Sequence, residues 1–175
     1  DPNGQATAFK YDPLGRIIET VAPTGSKQSF SYDALGNRLS ETSGEGHTTT
    51  YSYDSMNRVS SKKRPTGGET QYAYDTTGSL AKETDANGHS TNYVNDLYGR
   101  VTKRTLPNEA AYTYAYDALG RLTKQTGPQG LSKTYSYDVS GNLVQETDQS
   151  DRSNHYSYDK VGRLLTAKNA LDLET

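Results

Sequence analysis

The stretch Tyr114–Leu122 reads YAYDALGRL, and near-copies of it run through the whole chain. Two tyrosines stand two places apart, an Asp follows, Gly120 closes a short turn and Leu122 resumes an apolar pattern. The copies recur every 21 residues, eight times, without insertion or deletion. A fixed period of this length indicates a repeat protein, so the repeat unit decides the fold. The copies are counted from Tyr11, Tyr32, Tyr53, Tyr74, Asn95, Tyr116, Tyr137 and Tyr158.

The composition predicts an ordered β protein with a thin aromatic core. Leu, Ile, Val and Phe together number only 25 of 175 residues, but 15 Tyr supply aromatic bulk. A composition this poor in aliphatic residues indicates disorder only when net charge is large, and here it is −2. The near-neutral charge also argues against nucleic-acid and anionic-membrane partners, because both require a basic surface.

The sequence shows no membrane span and no disulfide framework. It contains no Cys, no signal peptide, and no stretch approaching the roughly 20 apolar residues of a spanning helix. It opens with DPNG, which is typical of the tail of a preceding repeat, and the consensus is lost over Asn169–Thr175. We therefore expect residues 1–175 to be one array of eight repeats from a longer repeat region.

Each repeat contains an aromatic pair that predicts a β-strand. Because alternate residues of a strand point to the same face, Tyr114 and Tyr116 should lie side by side on one face. Small or polar residues, such as Ala115, stand between the two rings. The first aromatic residues of the eight pairs are Phe9, Phe30, Tyr51, Tyr72, Tyr93, Tyr114, Tyr135 and Tyr156.

The Asp and Gly after each pair predict a hairpin turn. Gly, replaced once by Asn57, is what a position with positive φ selects, and the Asp can accept hydrogen bonds from the turn's N–H groups. Arg at the turn exit suggests local charge pairing, as at Arg121. We assign structural repeat roles to Tyr32, Asp33, Gly36, Tyr53, Asp54, Tyr74, Asp75, Gly78, Tyr116, Asp117, Gly120, Arg121, Tyr137, Asp138, Gly141, Tyr158, Asp159 and Gly162.

A second turn closes each unit, as in APTG, RPTG and GPQG, where Pro second and Gly fourth fit a type I turn. Each repeat is thus predicted to be two antiparallel strands of about 7 residues, which gives about 16 strands. Open sheets of more than about 10 strands usually curl, so we expect a spiralling β-strip.

Two repeats depart from the pattern. The second has Arg38 where the others have an apolar residue, and Leu39 follows it. The fifth has Asn95 in place of the YD tyrosine, with Tyr98 three residues later. Tyr98 either refills the lost aromatic volume or is a turn residue, and its place in the turn favours the second interpretation.

The search for catalytic, cofactor and metal sites yields none. His47 and His89 occupy the same repeat position two units apart, about 19 Å away if strands stack regularly, and His155 lies elsewhere. The DANG of Asp85–Gly88 lacks the further acidic ligands of a calcium loop. The row of YD aspartates is balanced by Arg at the turn exits, which favours turn capping over a carboxylate site. No nucleophile elbow or phosphate loop is present, so we expect no enzyme.

The repeats resemble the YD repeats of the Rhs family, which includes bacterial Rhs and wall-associated toxins, Tc toxin B and C components, and teneurins. The family consensus is close to GRLTxxTDPxGxxTxYxYDxxGRL. The matching residues are Gly120–Leu122, Thr126, Pro128, Gly130, Thr134, Tyr135, Tyr137, Asp138, Gly141 and Leu143. The family's self-cleaving region has a DPxGxxGG-like pattern that is absent here, so Asp12 receives no catalytic role.

The resemblance implies a structural segment of a Rhs-type β-shell that encloses a C-terminal toxin or other polypeptide of the same parent, secreted or displayed on a bacterial surface. The alternative is an adhesive or carbohydrate-binding module that uses exposed tyrosines. Tyrosines lining a concave interior would favour containment, and tyrosines on the convex side would favour adhesion. No nucleic acid, membrane span or cofactor is implied. Unpaired edge strands also predict self-association of the isolated chain.

Overall fold

The computed structural model of this chain describes residues 6–169. It is all-β, and its strands form one unclosed antiparallel sheet in which strand order follows sequence order. This confirms the predicted fold class of antiparallel hairpins. The strands are β1 (Ala8–Tyr11), β2 (Ile17–Val21), β3 (Lys27–Tyr32), β4 (Arg38–Thr42), β5 (Thr48–Tyr53), β6 (Val59–Lys63), β7 (Glu69–Tyr74), β8 (Leu80–Thr84), β9 (Ser90–Asn95), β10 (Val101–Thr105), β11 (Ala111–Tyr116), β12 (Leu122–Thr126), β13 (Ser132–Tyr137), β14 (Leu143–Thr147), β15 (Ser153–Tyr158) and β16 (Leu164–Lys168).

The chain divides into two compact units. The first contains residues 6–75 and Lys82–Ser90, and the second contains Thr76–Ala81 and residues 91–169. Both are built from the same hairpins. The expectation of a single array of eight repeats stays a prediction, and the opening DPNG and residues 170–175 lie outside the described residues.

The YD turns are three-residue hairpins. In the sixth repeat, the N–H of Asp117 donates to the Arg121 carbonyl at 2.9 Å, and the N–H of Gly120 donates to the Asp117 carbonyl at 3.0 Å. Gly120 has a φ of 82°, and the register shifts between Ala115 and Tyr116. This is a type I turn followed by a glycine bulge. Since the turn and bulge take residues from both arms, the strands have 4 to 6 residues rather than the predicted 7.

The second turns use the same hydrogen bonds, but glycine is less strictly required in them. Glu109 and Asp151 take the left-handed conformation, with φ of 63° and 59°, at the place that glycine holds elsewhere. The GPQG turn differs from the predicted type I, because Gln129 has a φ of 66° and a ψ of 14°. Those angles belong to the third residue of a type II turn.

The aromatic residues share one face of the sheet within each unit. Tyr114 pairs with Gln125 and Tyr116 with Leu122, whereas Ala115 pairs with Lys124 on the other side. Strand exposure alternates accordingly, as in β11, where the tyrosines are half-buried and Thr113 and Ala115 are exposed. We call the side that carries Phe9, Phe30, Tyr51, Tyr72, Tyr93, Tyr114, Tyr135, Tyr156 and the YD tyrosines the tyrosine face.

The predicted aromatic core is absent from the described residues. No residue among 6–169 is fully buried, and most tyrosines of the tyrosine face are partly exposed. The physical reason is that, within each unit, the described strands pair side by side in a sheet and no further described element covers either face. Within the same residues the one close pair of rings is Phe9 and Tyr11, whose centroids are 6.5 Å apart. Close stacking of tyrosine rings on one another is thus not found among the described residues, and other contacts connect the repeats.

Candidate functional site

The Asp of the YD pair organises its turn through both carboxylate oxygens. Oδ1 of Asp117 accepts hydrogen bonds from the N–H groups of Leu119 at 3.0 Å and Arg121 at 2.9 Å. Its Oδ2 accepts from Nε of Arg121 at 2.7 Å, which is also an ion pair. The same arrangement recurs at Asp12, Asp33, Asp54, Asp96, Asp138 and Asp159, with Asn replacing Arg at two exits.

These hydrogen bonds favour the ionised carboxylate. The pKa of Asp117 lies below its ordinary value, chiefly because the backbone N–H of Arg121 donates to it, while desolvation opposes the shift. At Asp54 the pKa is lowered most by the hydrogen bond from the Arg58 side chain. At Asp138 the main cause is the side-chain amide of Asn142. The aspartates thus act as turn caps.

The YD tyrosine joins its repeat to the preceding one. The Tyr137 hydroxyl donates to the Leu122 carbonyl at 2.9 Å. The β12–β13 pairing ends at Lys124 and Thr134, so the Leu122 carbonyl lies beyond that ladder. Each such tyrosine satisfies a carbonyl fifteen residues earlier. The equivalent bonds link Tyr32 to Ile17, Tyr53 to Arg38, Tyr74 to Val59 and Tyr116 to Val101.

Asn95 preserves this link in the repeat that lacks the tyrosine. Its Nδ2 donates to the Leu80 carbonyl at 2.9 Å, again fifteen residues earlier. Tyr98 is 84% exposed, so it does not refill the missing aromatic volume. The interpretation of Tyr98 as a turn residue is confirmed. The position of the YD tyrosine therefore calls for a side chain that donates a hydrogen bond, and an aromatic ring is not required for that bond.

The Arg at the turn exit connects its turn to the following repeat. The guanidinium carbon of Arg121 lies 4.7 Å from the ring centroid of Tyr137, and its Nη1 donates to the Asp138 carbonyl at 3.0 Å. One guanidinium thus contacts its own Asp, the next tyrosine and the next turn. The same stacking occurs for Arg16 on Tyr32, Arg58 on Tyr74 and Arg100 on Tyr116.

Arg38, the departure in the second repeat, makes a different set of contacts. Its guanidinium carbon lies 5.0 Å from the centroid of the Phe30 ring, and its Nη1 is 3.1 Å from Oε2 of Glu41. Its carbonyl accepts the Tyr53 hydroxyl at 2.8 Å. The link between repeats is therefore kept although the apolar side chain is lost.

The opposite face carries pairs of hydroxyl groups that the sequence analysis missed. The hydroxyls of Thr147 and Ser153 lie 2.9 Å apart across neighbouring strands. The available sequence signal for this pair is that Thr recurs ten residues after the YD tyrosine in five repeats. Similar pairs are Ser31 with Ser40, Thr42 with Thr48, Thr84 with Ser90 and Ser157 with Thr166.

The described residues assemble no metal centre. Among residues 6–169, no group of three or more acidic or His side chains is arranged to hold an ion. Asp85 instead caps its own turn, accepting hydrogen bonds from the N–H groups of Asn87 and His89 at 2.9 Å each. Helical structure of the length and hydropathy that a membrane crossing requires is not found in this part of the chain.

Two family models match this chain. The model described as Teneurin YD-shell matches residues 2–132, and the model described as RHS Repeat matches residues 116–153 and 137–172. No curated protein matches it.

Solved structures share its fold. The crystal structure of TcdB2-TccC3-TEV superposes with a TM-score of 0.63 and 19% identity, covering 93% of this chain and 11% of that one. The crystal structure of TcdB2-TccC3 without its hypervariable C-terminal region gives a TM-score of 0.64 and 20% identity, with the same coverage. For the Tc holotoxin pore of Photorhabdus luminescens the TM-score is 0.50 and the identity 15%, covering 94% of this chain and 14% of that one. The chain thus spans about a ninth of the length of the first two.

Proposed function

Because this chain belongs to the teneurin YD-shell family, we propose that it forms a segment of the wall of a shell that encloses a polypeptide of the same parent protein. In this role the segment performs no reaction. It holds a continuous sheet together so that the enclosed chain, which we take to be a C-terminal toxin, stays separated from its surroundings. The parent would then be secreted or displayed on a bacterial surface.

The observation that carries the proposal is that the links between repeats are themselves periodic. The tyrosine hydroxyl bond to a carbonyl fifteen residues earlier recurs from Tyr32 to Tyr137, and the Arg–Tyr stack recurs beside it. A wall needs the same connection at every step, whereas an active site is assembled once. The half-covered tyrosines would leave aromatic surface available to an enclosed chain.

A second candidate is an adhesive or carbohydrate-binding module. Two rings of the tyrosine face near the start of the described chain are exposed, Phe9 at 51% and Tyr11 at 55%, so they could stack on a sugar. The two candidates differ in whether the tyrosine face is turned toward an interior or toward the outside of the parent particle.

Electron microscopy of the intact parent particle tests the proposal. We expect a closed shell whose tyrosine faces point inward, with additional density of an irregular polypeptide inside. An open or filamentous assembly with no cavity would overturn the encapsulation role. In that case, exposed tyrosine faces would direct the search toward glycan or protein ligands.

A further inference from the structure

A concavity on the tyrosine face of the first unit interrupts the regularity of the repeats. It has a volume of about 470 Å³ and lies where β5 and β6 diverge toward their second turns. Tyr51 pairs with Lys62, and continuing that register puts Thr49 opposite Arg64. The lining residues are His47, Thr49, Lys62, Arg64, Pro65 and Thr66.

The two permanent cations of this concavity have no carboxylate partner among the described residues. The Lys62 ammonium lies 5.8 Å from the Tyr51 ring centroid, and neither Lys62 nor Arg64 makes an ion pair within residues 6–169. The exit arginines of the YD turns, in contrast, are paired with aspartates. Two carboxylates lie beside the concavity: Oε2 of Glu45 is 3.4 Å from Nδ1 of His47, and Glu41 pairs with Thr49 across β4 and β5 while its carboxylate is paired with Arg38.

This pair of cations occurs in one repeat only. At the place of Lys62 the other repeats carry Thr, Glu, Arg, Gln or Ala, and at the place of Arg64 they carry Ala, Ser, Asp, Leu, Gly or Asn. A residue that the hairpin itself required would recur every 21 positions. The combination of Lys62, Arg64 and His47 therefore has no counterpart in the periodic links that hold the sheet together.

An aromatic concavity adjoins the cationic one. It has a volume of about 220 Å³, shares Lys62 as a wall, and is further lined by Tyr51, Val59, Tyr72 and Tyr74. A cationic subsite and an aromatic subsite thus follow each other along one strand direction. An extended peptide presents alternate side chains to the same side about 6.8 Å apart, so two such side chains can occupy adjoining subsites that share Lys62 as a wall.

We propose that this surface binds an extended peptide segment in which an acidic side chain and a large apolar side chain stand two residues apart. The carboxylate would accept the planar donors of Arg64 and the ammonium of Lys62, with the hydroxyls of Thr49 and Thr66 as further donors. The apolar side chain would pack on Tyr51 and Tyr72. Identifying this segment with part of the enclosed polypeptide rests on the proposed function, whereas binding to the surface does not.

The test is fluorescence anisotropy of a labelled synthetic peptide that carries Glu and Leu two residues apart, titrated with the full chain. The test variant is Lys62→Gln with Arg64→Ser, because Gln125 and Ser43 occupy the same repeat positions. The matched control is Lys63→Gln with Lys103→Gln, which removes the same charge from the opposite face. In the strand register, Lys63 lies opposite Glu69 and Lys103 lies opposite Val94.

We expect the test variant to weaken binding by about tenfold or more, and the control variant by less than about twofold. Replacing Glu by Gln in the peptide should give a similar loss, and this arm does not depend on the folding of any variant. Equal losses in the two protein variants, or unchanged binding of the Gln peptide, would overturn the inference. Either result would leave the shell role standing, since that role is decided by microscopy of the parent particle.

Discussion

At the scale of single residues, the YD tyrosine contributes most through its hydroxyl group. The residue keeps part of its surface exposed, so burial contributes less than it would in a fully packed core. The hydroxyl instead satisfies a carbonyl that the neighbouring strand leaves unpaired, as Tyr137 does for Leu122. Asn95 makes the same type of bond without an aromatic ring, which supports a larger role for the hydrogen bond than for burial of the ring.

Replacing Tyr137 by Phe should therefore destabilise the chain by about 1 kcal/mol, the net value of a hydrogen bond whose acceptor is left unpaired. The measurement is the urea midpoint of unfolding, followed by circular dichroism. Tyr98→Phe is the matched control, because Tyr98 is 84% exposed and its loss of a hydroxyl should change stability little. Equal stability of the Tyr137 variant and the native chain would contradict this role. Serine at both Tyr135 and Tyr137 should unfold the region locally.

At the scale of elements, the hairpin turn sets the geometry of each repeat. The register shifts by one residue at Thr123, just beyond the turn exit, and the guanidinium of Arg121 extends over the next tyrosine. This arrangement depends on the capping aspartate, because Asp117 accepts hydrogen bonds from both the backbone N–H and the guanidinium of Arg121. The lowered pKa of the Asp117 and Asp159 carboxyl groups follows from the same hydrogen bonds, which favour the ionised form.

This preference predicts loss of stability in acid. A carboxyl group whose pKa is lower in the folded chain stabilises the fold above its ordinary pKa, and the contribution disappears as pH falls through the folded value. The pKa values of Asp117 and Asp159 are lowered from 3.8, so melting temperature should fall most steeply below about pH 4. Melting curves recorded between about pH 6 and pH 2 test this dependence of the melting temperature on pH.

The variant with Asn at both Asp117 and Asp159 keeps an acceptor oxygen at each turn but does not titrate. Its melting temperature should fall less steeply with acidity than that of the native chain. A control with Gln at Glu69, a strand residue outside the turns, should keep the native slope. Identical slopes in all three proteins would show that the capping carboxylates do not govern acid unfolding.

At the scale of the whole molecule, stability comes from neighbour contacts rather than from a common core. No residue within 6–169 is fully buried, and neighbouring hairpins are joined by recurring side-chain hydrogen bonds and, at four turn exits, by arginine stacks. In such repeat proteins stability is approximately a sum of unit and interface contributions. The outermost strands of the described sheet, β1 and β16, each have a pairing partner on one side only.

We therefore predict that the isolated chain associates through these outer strands. Gel filtration with light scattering should show oligomers whose mass rises with concentration, because exposed strand edges pair with other strands. Leu165, which is 63% exposed in β16, provides a variant: Leu165→Lys should reduce association by adding charge at the edge. A strict monomer at high concentration would contradict the prediction.

The regular features of the hairpins could be predicted because the same sequence pattern occurs in eight repeats. Strand alternation, the glycine of the turn and the capping Asp each follow from local geometry, which the period of 21 residues repeats without interruption. The contacts between repeats could not be derived in this way. The tyrosine bond to a carbonyl fifteen residues earlier and the Arg stack on the next tyrosine both depend on how neighbouring strands are staggered.

The sequence by itself determined the antiparallel hairpins, the family and the sites of the turns, because these depend on residues close together in one repeat. Only the tertiary structure decided that the rings stack under guanidinium groups rather than on one another, and that none of the described residues is fully buried. It alone brought Lys62 and Arg64 together with His47 around one concavity. These outcomes depend on the register between strands and on the absence of a second packed layer among the described residues. Neither can be derived from the sequence pattern of a single repeat.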